Sequence, residues 1–84
     1  MICKVMYRRY LNGVDSGYYG GAEYAFKTDL PLEIGSKVLV PSGVYNEPKR
    51  ALVVDVNVDP ETIDPKILEI LKTIDKYDPE GGVR

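Results

Sequence analysis

Apolar and polar residues alternate along the first part of the chain, a pattern typical of β-strands with one buried face. In Ile2–Tyr10, the side chains of Cys3, Val5 and Tyr7 fall on one face, so we predict a strand with these three residues in the core. Similar patterns predict further strands at Ala22–Asp29, Lys37–Pro41, Lys49–Val58 and Thr73–Tyr77.

Two segments between these strands are predicted as loops. Leu11–Gly21 contains four glycines together with asparagine, aspartate and serine, a composition that favours a long loop. Ser42–Pro48 is the second predicted loop. Gly35 and Gly43 are expected at the turns that bound the strand Lys37–Pro41, because a tight turn favours the residue without a Cβ atom.

The period of the pattern changes after residue 59. Asp64 is a predicted helix N-cap, with Pro65 at the first helical position. Ile67, Leu68 and Leu71 follow at helical spacing, which predicts one short helix near residues 64–72.

These elements indicate a mainly β fold. About five short strands and one helix predict a small SH3-like or OB-like barrel, closed or partly open. Residues 1–77 are expected to form a single β-barrel domain, and residues 78–84 a flexible C-terminal tail.

The chain contains one cysteine and no histidine. A lone cysteine forms no internal disulfide, which favours a cytoplasmic location, and Cys3 is expected to be buried and inert. The absence of histidine removes the usual general base and the commonest metal ligand. We therefore expect a protein that is not an enzyme, with no catalytic residues, no metal and no cofactor. No apolar run approaches the roughly 18 residues that a membrane span needs, so no membrane partner is expected.

Charge is distributed unevenly along the chain, which has a net charge of −2. Residues 1–54 carry seven basic and five acidic side chains, whereas residues 55–84 carry four basic and eight acidic ones. An anionic partner is therefore expected to contact the first part of the chain. The acidic total argues against strong binding to nucleic acid irrespective of sequence.

Aromatic and basic residues lie next to each other in and around both predicted loops. Arg8 and Arg9 precede the loop that contains Tyr18 and Tyr19, and a similar pair, Lys49 and Arg50, follows the loop that contains Tyr45. Exposed tyrosines stack on bases while neighbouring cations contact phosphate, so this pattern favours nucleic-acid binding. The alternative is that the tyrosines fold back over the barrel and the cations are solvated strand ends.

One stretch, "YAFKTDLPLEIGSKVLVPSGVYNEPKRALVVDV", resembles the N-terminal DNA 3′-end-binding domain of primosomal protein N′, the replication-restart helicase. The residues that match the family pattern are Tyr24, Gly35, Val38, Val40, Pro41 and Gly43. The resemblance continues into "ILKTID". The chain is also similar to small standalone barrel proteins of bacteriophages and mobile elements, for which no activity is implied.

The resemblance implies a pocket for the terminal nucleotide of a DNA 3′ end. Gly43 and Lys72 match two residues of that pocket, and Glu23 stands at the position of its acidic residue. Ala22 stands where the family has an aromatic residue, so Tyr24 or Tyr19 would have to replace it. The helicase motor is absent from this chain, so the resemblance implies no ATPase or unwinding activity.

Two functions follow as hypotheses. The first is a weak nucleic-acid-binding or nucleoprotein accessory module whose partner is single-stranded DNA or a DNA 3′ end. The alternative is a protein-interaction or structural module, including a homodimer. The candidate binding residues are Arg8, Arg9, Tyr18, Tyr19, Glu23, Tyr24, Gly43, Tyr45, Lys49, Arg50 and Lys72.

Overall fold

Six β-strands form one mixed sheet in the computed structural model, which describes residues 1–80. The strands are β1 (Ile2–Leu11), β2 (Val14–Thr28), β3 (Lys37–Ser42), β4 (Glu47–Asp55), β5 (Thr73–Ile74) and β6 (Lys76–Tyr77). A 3₁₀ turn at Pro60–Thr62 and a helix, α1 (Pro65–Leu68), lie between β4 and β5. The order in the sheet is β5-β2-β1-β4-β3-β6, and the mainly β prediction with one short helix is confirmed.

The sheet is not closed into a barrel, so of the two predicted forms, closed or partly open, the closed barrel is wrong. The predicted last strand is in fact two short strands, because β5 pairs in parallel with β2 whereas β6 pairs antiparallel with β3. Residues 73–77 thus connect the two outer edges of the sheet without joining them in one ladder. Five extended residues span roughly 17 Å at about 3.3 Å each, so this segment keeps the edges of β2 and β3 near each other.

The predicted loop at Leu11–Gly21 is wrong, since most of this segment belongs to the sheet. Asn12 and Gly13 form a two-residue turn with φ values of 50° and 81°, the geometry that an Asn-Gly pair favours in a hairpin. Pairing of β1 with β2 continues up to this turn, where Leu11 lies opposite Val14.

The other glycines of the segment lie where the register of β2 shifts. One shift places extra residues of β2 around Gly17, and the other places them around Gly21. Both glycines have a positive φ, 90° and 89°, which glycine adopts at little cost in a β-bulge. The glycines that predicted a loop therefore allow a long strand to bend.

The turns around β3 confirm the prediction for Gly35 and Gly43. Their φ values are 98° and 74°, and each lies in a turn next to β3. The predicted loop Ser42–Pro48 is shorter than expected, because only residues 43–46 form the turn between β3 and β4.

The helix α1 is also shorter than the predicted 64–72. Asp64 caps its start as expected, with Oδ1 accepting a 2.9 Å hydrogen bond from the Lys66 N–H. The chain leaves the helix early because the carbonyl of Lys72 accepts a hydrogen bond from the Lys27 N–H on β2, at 3.0 Å. Pairing with the sheet thus overrides the helical spacing of the apolar residues.

The core lies on one face of the curled sheet and contains Cys3, which is fully buried as predicted. Burial raises the pKa of the Cys3 thiol. The buried apolar residues are Cys3, Val5, Phe26, Leu32, Val38, Val40, Ala51, Val53 and Ile74.

The segment predicted as a tail covers residues 78–84. Asp78 is buried, and its N–H donates to the Lys37 carbonyl at 3.0 Å. Residues 81–84 lie outside the described residues.

Thr28 provides a test of how β5 is attached to the sheet. Its buried hydroxyl donates to the Ile74 carbonyl at 2.7 Å and accepts from the Leu30 N–H at 3.0 Å. We expect Thr28→Val to lower the free energy of unfolding by about 1–3 kcal/mol, because it leaves buried polar groups without partners. Urea denaturation measures this change.

Thr62→Val is the matched control, since the Thr62 hydroxyl donates to the Asp59 carbonyl at an exposed position. A change within about 0.5 kcal/mol is expected there. Equal losses in the two variants would contradict the role assigned to Thr28.

Candidate functional site

A groove opens where β1 and β4 stop pairing. The last paired residues are Tyr7 and Ala51, whereas β1 remains paired with β2 as far as the Asn-Gly turn. We call the protruding end of this hairpin, residues 8–19, the arm. Between the arm and the β3–β4 hairpin lies the first groove, with a volume of about 540 Å³. It is lined by Tyr7, Arg8, Tyr10, Leu39, Ser42, Pro48, Lys49 and Arg50.

Arg8 is held on the arm by a two-point contact with Asp15. Its Nε lies 2.7 Å from Asp15 Oδ1, and its Nη2 lies 3.2 Å from Asp15 Oδ2. The guanidinium carbon is also 4.9 Å from the centre of the Tyr19 ring, within cation–π range. The hydrogen bond from Arg8, followed by one from the Gly17 N–H, lowers the pKa of Asp15.

Arg50 contacts three carboxylates from different parts of the chain. Its Nη1 lies 3.6 Å from Asp15 Oδ2, its Nε lies 3.5 Å from Asp78 Oδ2, and its Nη2 contacts Glu80 Oε1. Burial acts to lower the pKa of Arg50, but Asp78 and then Glu80 outweigh burial and raise it. Asp15 therefore links both arginines, and the acidic end of the chain meets the basic wall of the groove.

These ion pairs neutralise much of the positive charge at the first groove. Arg8, Lys49 and Arg50 are balanced in number by Asp15, Asp78 and Glu80. Lys49 is exposed and forms no ion pair within residues 1–80. A phosphate that approaches either arginine must compete with carboxylates that are already in place.

Other predicted binding residues lie away from this groove. The Arg9 guanidinium covers Gly21, where a Cβ atom would lie 2.8 Å from Arg9 Nη1. Arg9 is not among the residues that line either groove. Tyr18 is exposed and lines neither groove described here, and Tyr24 packs on Tyr7 with ring centres 5.2 Å apart.

Sequence reasoning missed several residues of the first groove. Tyr7 was assigned to the core, and it does pack against the core while also lining the groove. Tyr10 was assigned to the end of a strand, and Asp15, which pairs with two groove arginines, to a loop. The Asn-Gly dipeptide was the available signal, because a two-residue turn there places Asp15 opposite Tyr10. Asp78 and Glu80 had no local signal, since each lies about thirty residues from Arg50.

A second groove adjoins the β3–β4 turn. The Lys72 Nζ donates to the Gly43 carbonyl at 2.6 Å, so the two pocket residues implied by the resemblance are in contact. The groove has a volume of about 420 Å³ and is lined by Leu39, Val40, Pro41, Asn46, Pro48, Lys72, Thr73, Asp75 and Lys76.

The remaining residues suggested by the resemblance are not brought to the second groove. Glu23 and Tyr24 lie on β2, before Lys27, which pairs with Thr73. Four residues of strand separate Glu23 from that pair, roughly 13 Å at about 3.3 Å per residue. Tyr45 is 87% exposed at the tip of the β3–β4 turn and lines neither groove.

The chain matches no protein-family model, no curated protein and no solved structure. Across residues 1–80, no helix is both long and apolar enough to cross a membrane. The same residues include no group of three or more histidine, cysteine or acidic side chains placed to hold a metal ion.

The contact between Arg8 and Asp15 predicts the titration of Asp15. We expect Arg8→Gln to raise the pKa of Asp15 toward the ordinary value of about 3.9, because the hydrogen bonds from Arg8 are lost while the one from the Gly17 N–H remains. Arg9→Gln is the control and is expected to leave the pKa of Asp15 unchanged, since within residues 1–80 only Arg8 and Arg50 form ion pairs with Asp15. Carbon-detected NMR titration of the carboxyl group measures both.

The sign of the stability effect follows from the lowered pKa of Asp15. Ionised Asp15 stabilises the fold fully at pH values above the ordinary aspartate pKa. This stabilisation is lost as the pH falls through the lower pKa that Asp15 has in the folded chain. The difference in the free energy of unfolding between wild type and Arg8→Gln therefore becomes smaller as the pH falls through this range. An identical pKa of Asp15 in wild type and in Arg8→Gln would contradict the ion pair between Arg8 and Asp15.

Proposed function

We propose that the protein is a non-enzymatic interaction module that binds an extended segment of a partner protein in the first groove. The observation that carries this proposal is an aromatic- and proline-lined groove whose arginines are already paired with carboxylates. Tyrosine and arginine are the residues that contribute most to protein–protein contacts, especially where the surface excludes water.

The charge balance favours a polypeptide over a nucleic-acid strand in this groove. Binding along a phosphate backbone depends on free cations that release counterions. Here Arg8 and Arg50 are engaged with three carboxylates, and only Lys49 among the groove's cations lacks an ion pair within residues 1–80. A polypeptide does not need a row of free cations, because the rings of Tyr7 and Tyr10 provide apolar contact area in the groove.

A second candidate function is binding of single-stranded DNA, or of a DNA 3′ end, at the second groove. It is favoured by Lys72 and Lys76, two lysines against the single carboxylate of Asp75, and by the contact of Lys72 with Gly43. Those two residues are the ones that the resemblance to primosomal protein N′ implies for its pocket. Tyr45, exposed on the adjoining turn, is available to stack on a base.

The first proposal is tested by selecting peptides that bind the immobilised protein from a displayed library of random sequences. We expect Tyr10→Ala to weaken their binding by about fivefold or more, the loss of a contact worth over ~1 kcal/mol. Tyr18→Ala is the matched control, since Tyr18 is similarly exposed on the arm but lines neither groove. Equal losses in the two variants, or no selectable peptide, would contradict the proposal.

The second candidate is tested with a labelled single-stranded oligonucleotide that ends in a 3′ hydroxyl or a 3′ phosphate. Lys72→Gln is expected to weaken binding and to lower the log–log salt slope by about 0.7, the value for one phosphate contact on a single strand. Lys66→Gln, on α1 and away from both grooves, is the control. Identical behaviour of the two variants would exclude Lys72 from the contact.

A further inference from the structure

Arg50 is approached by two carboxylates of the chain's own C-terminal segment, and they differ in how firmly they are held. The Asp78 side chain is 2% exposed, and the backbone N–H of Asp78 donates to the carbonyl of Lys37, the first residue of β3. The Glu80 side chain is 75% exposed. Asp78 is therefore a fixed partner of Arg50, whereas the exposed side chain of Glu80 is held at the surface by its ion pair with Arg50.

The backbone between them sets the spacing of the two carboxylates. The Glu80 N–H donates to Asp78 Oδ1 at 2.9 Å, which turns the chain so that both side chains reach the same guanidinium. This segment directly follows β6, which pairs with Leu39 in a wall of the first groove. The chain thus places an exposed carboxylate on a cation that lines the groove.

We infer that the partner segment bound in the first groove is acidic, and that one of its carboxylates replaces Glu80 on Arg50. This inference rests on the proposed function and specifies its partner class. The contact with Glu80 supports it: in the free protein the Glu80 carboxylate lies on Arg50 at an exposed position, so a carboxylate fits there. Because Glu80 is tethered, it competes at the high effective concentration of an intramolecular ligand.

The replacement requires little rearrangement of the folded protein. An exposed ion pair is worth little, so Glu80 leaves Arg50 at small cost when another carboxylate takes its place. Asp78 and Asp15 stay in contact with Arg50 and keep its guanidinium pointed at the groove. Lys49, on the same wall, offers a second cation to a partner with more than one acidic residue.

The chain's own sequence supplies a defined probe for this inference. A fluorescein-labelled peptide with the sequence KYDPEGG, residues 76–82, carries both carboxylates at the natural spacing. Its matched control, KYNPQGG, has nearly the same shape but lacks the two side-chain carboxylates. Fluorescence anisotropy measures the binding of each peptide to the full chain at about 50 mM and 200 mM salt, between which exposed ion pairs are increasingly screened.

The informative variant is Glu80→Gln in the full chain, because it removes the internal competitor at an exposed position. We expect it to bind KYDPEGG roughly two- to fivefold more tightly than wild type, the range for release of an exposed ion pair. Its affinity for KYNPQGG is expected to stay the same, and the gain is expected to shrink at the higher salt concentration. Glu61→Gln changes the net charge equally but lies on the 3₁₀ turn, so no gain is expected there.

Equal gains in Glu80→Gln and Glu61→Gln would overturn the inference, because the effect would then come from overall charge. Peptides that bind wild type and Glu80→Gln equally would also overturn it, while leaving groove binding intact. If neither peptide binds any variant but the library-selected peptides do, the acidic partner is wrong and the proposed function stands. If the library also yields no peptide that binds, both the acidic partner and the proposed function are wrong. A single-stranded oligonucleotide that binds Glu80→Gln more tightly than KYDPEGG does would also overturn the inference, because the preferred ligand would then be a nucleic acid and not an acidic peptide.

Discussion

The short segment from Thr73 to Tyr77 is the constraint on which the rest of the structure depends. It pairs with β2 at one end and with β3 at the other, so it holds the two outer edges of a single sheet near each other. Ile74, the second residue of the segment, is fully buried in the core. Without this connection, the sheet would have two open edges and the core would lose its cover between them.

Both candidate grooves are consequences of the same connection. Immediately before the segment, Lys72 reaches the Gly43 carbonyl and forms one wall of the second groove. Immediately after it, Asp78 and Glu80 reach Arg50 at the first groove. A segment that closes the core thus also determines which cations remain available at the surface, and this distribution of charge is what favours a polypeptide partner in the first groove.

Much of the fold was predictable from the sequence, because strand alternation and turn residues are local signals. The face shared by Cys3 and Val5 and the turns at Gly35 and Gly43 follow from such signals and are confirmed. The long strand β2 was missed because glycine marks loops and β-bulges alike, and only the partner strand distinguishes them. The helix was overestimated because pairing of Lys72 with β2 is a tertiary contact.

The first groove was only partly predictable. Arg8, Lys49 and Arg50 were chosen as basic residues beside aromatic ones, and they do line one groove. Their pairing with Asp15, Asp78 and Glu80 depends on how distant segments meet, and no local pattern indicates it. That pairing changes what the cations can bind, since a free basic patch attracts a phosphate backbone more strongly than a compensated one does.

The central claim is that the first groove is the binding surface, and amide chemical-shift mapping with a library-selected peptide tests it most directly. On nitrogen-15-labelled protein, we expect the largest shifts at Arg8, Tyr10, Leu39, Lys49 and Arg50. The residues of the second groove that the first does not share, including Asn46, Thr73 and Lys76, are expected to change little. Shifts centred on those three residues, or no shifts with a peptide that binds, would contradict the account.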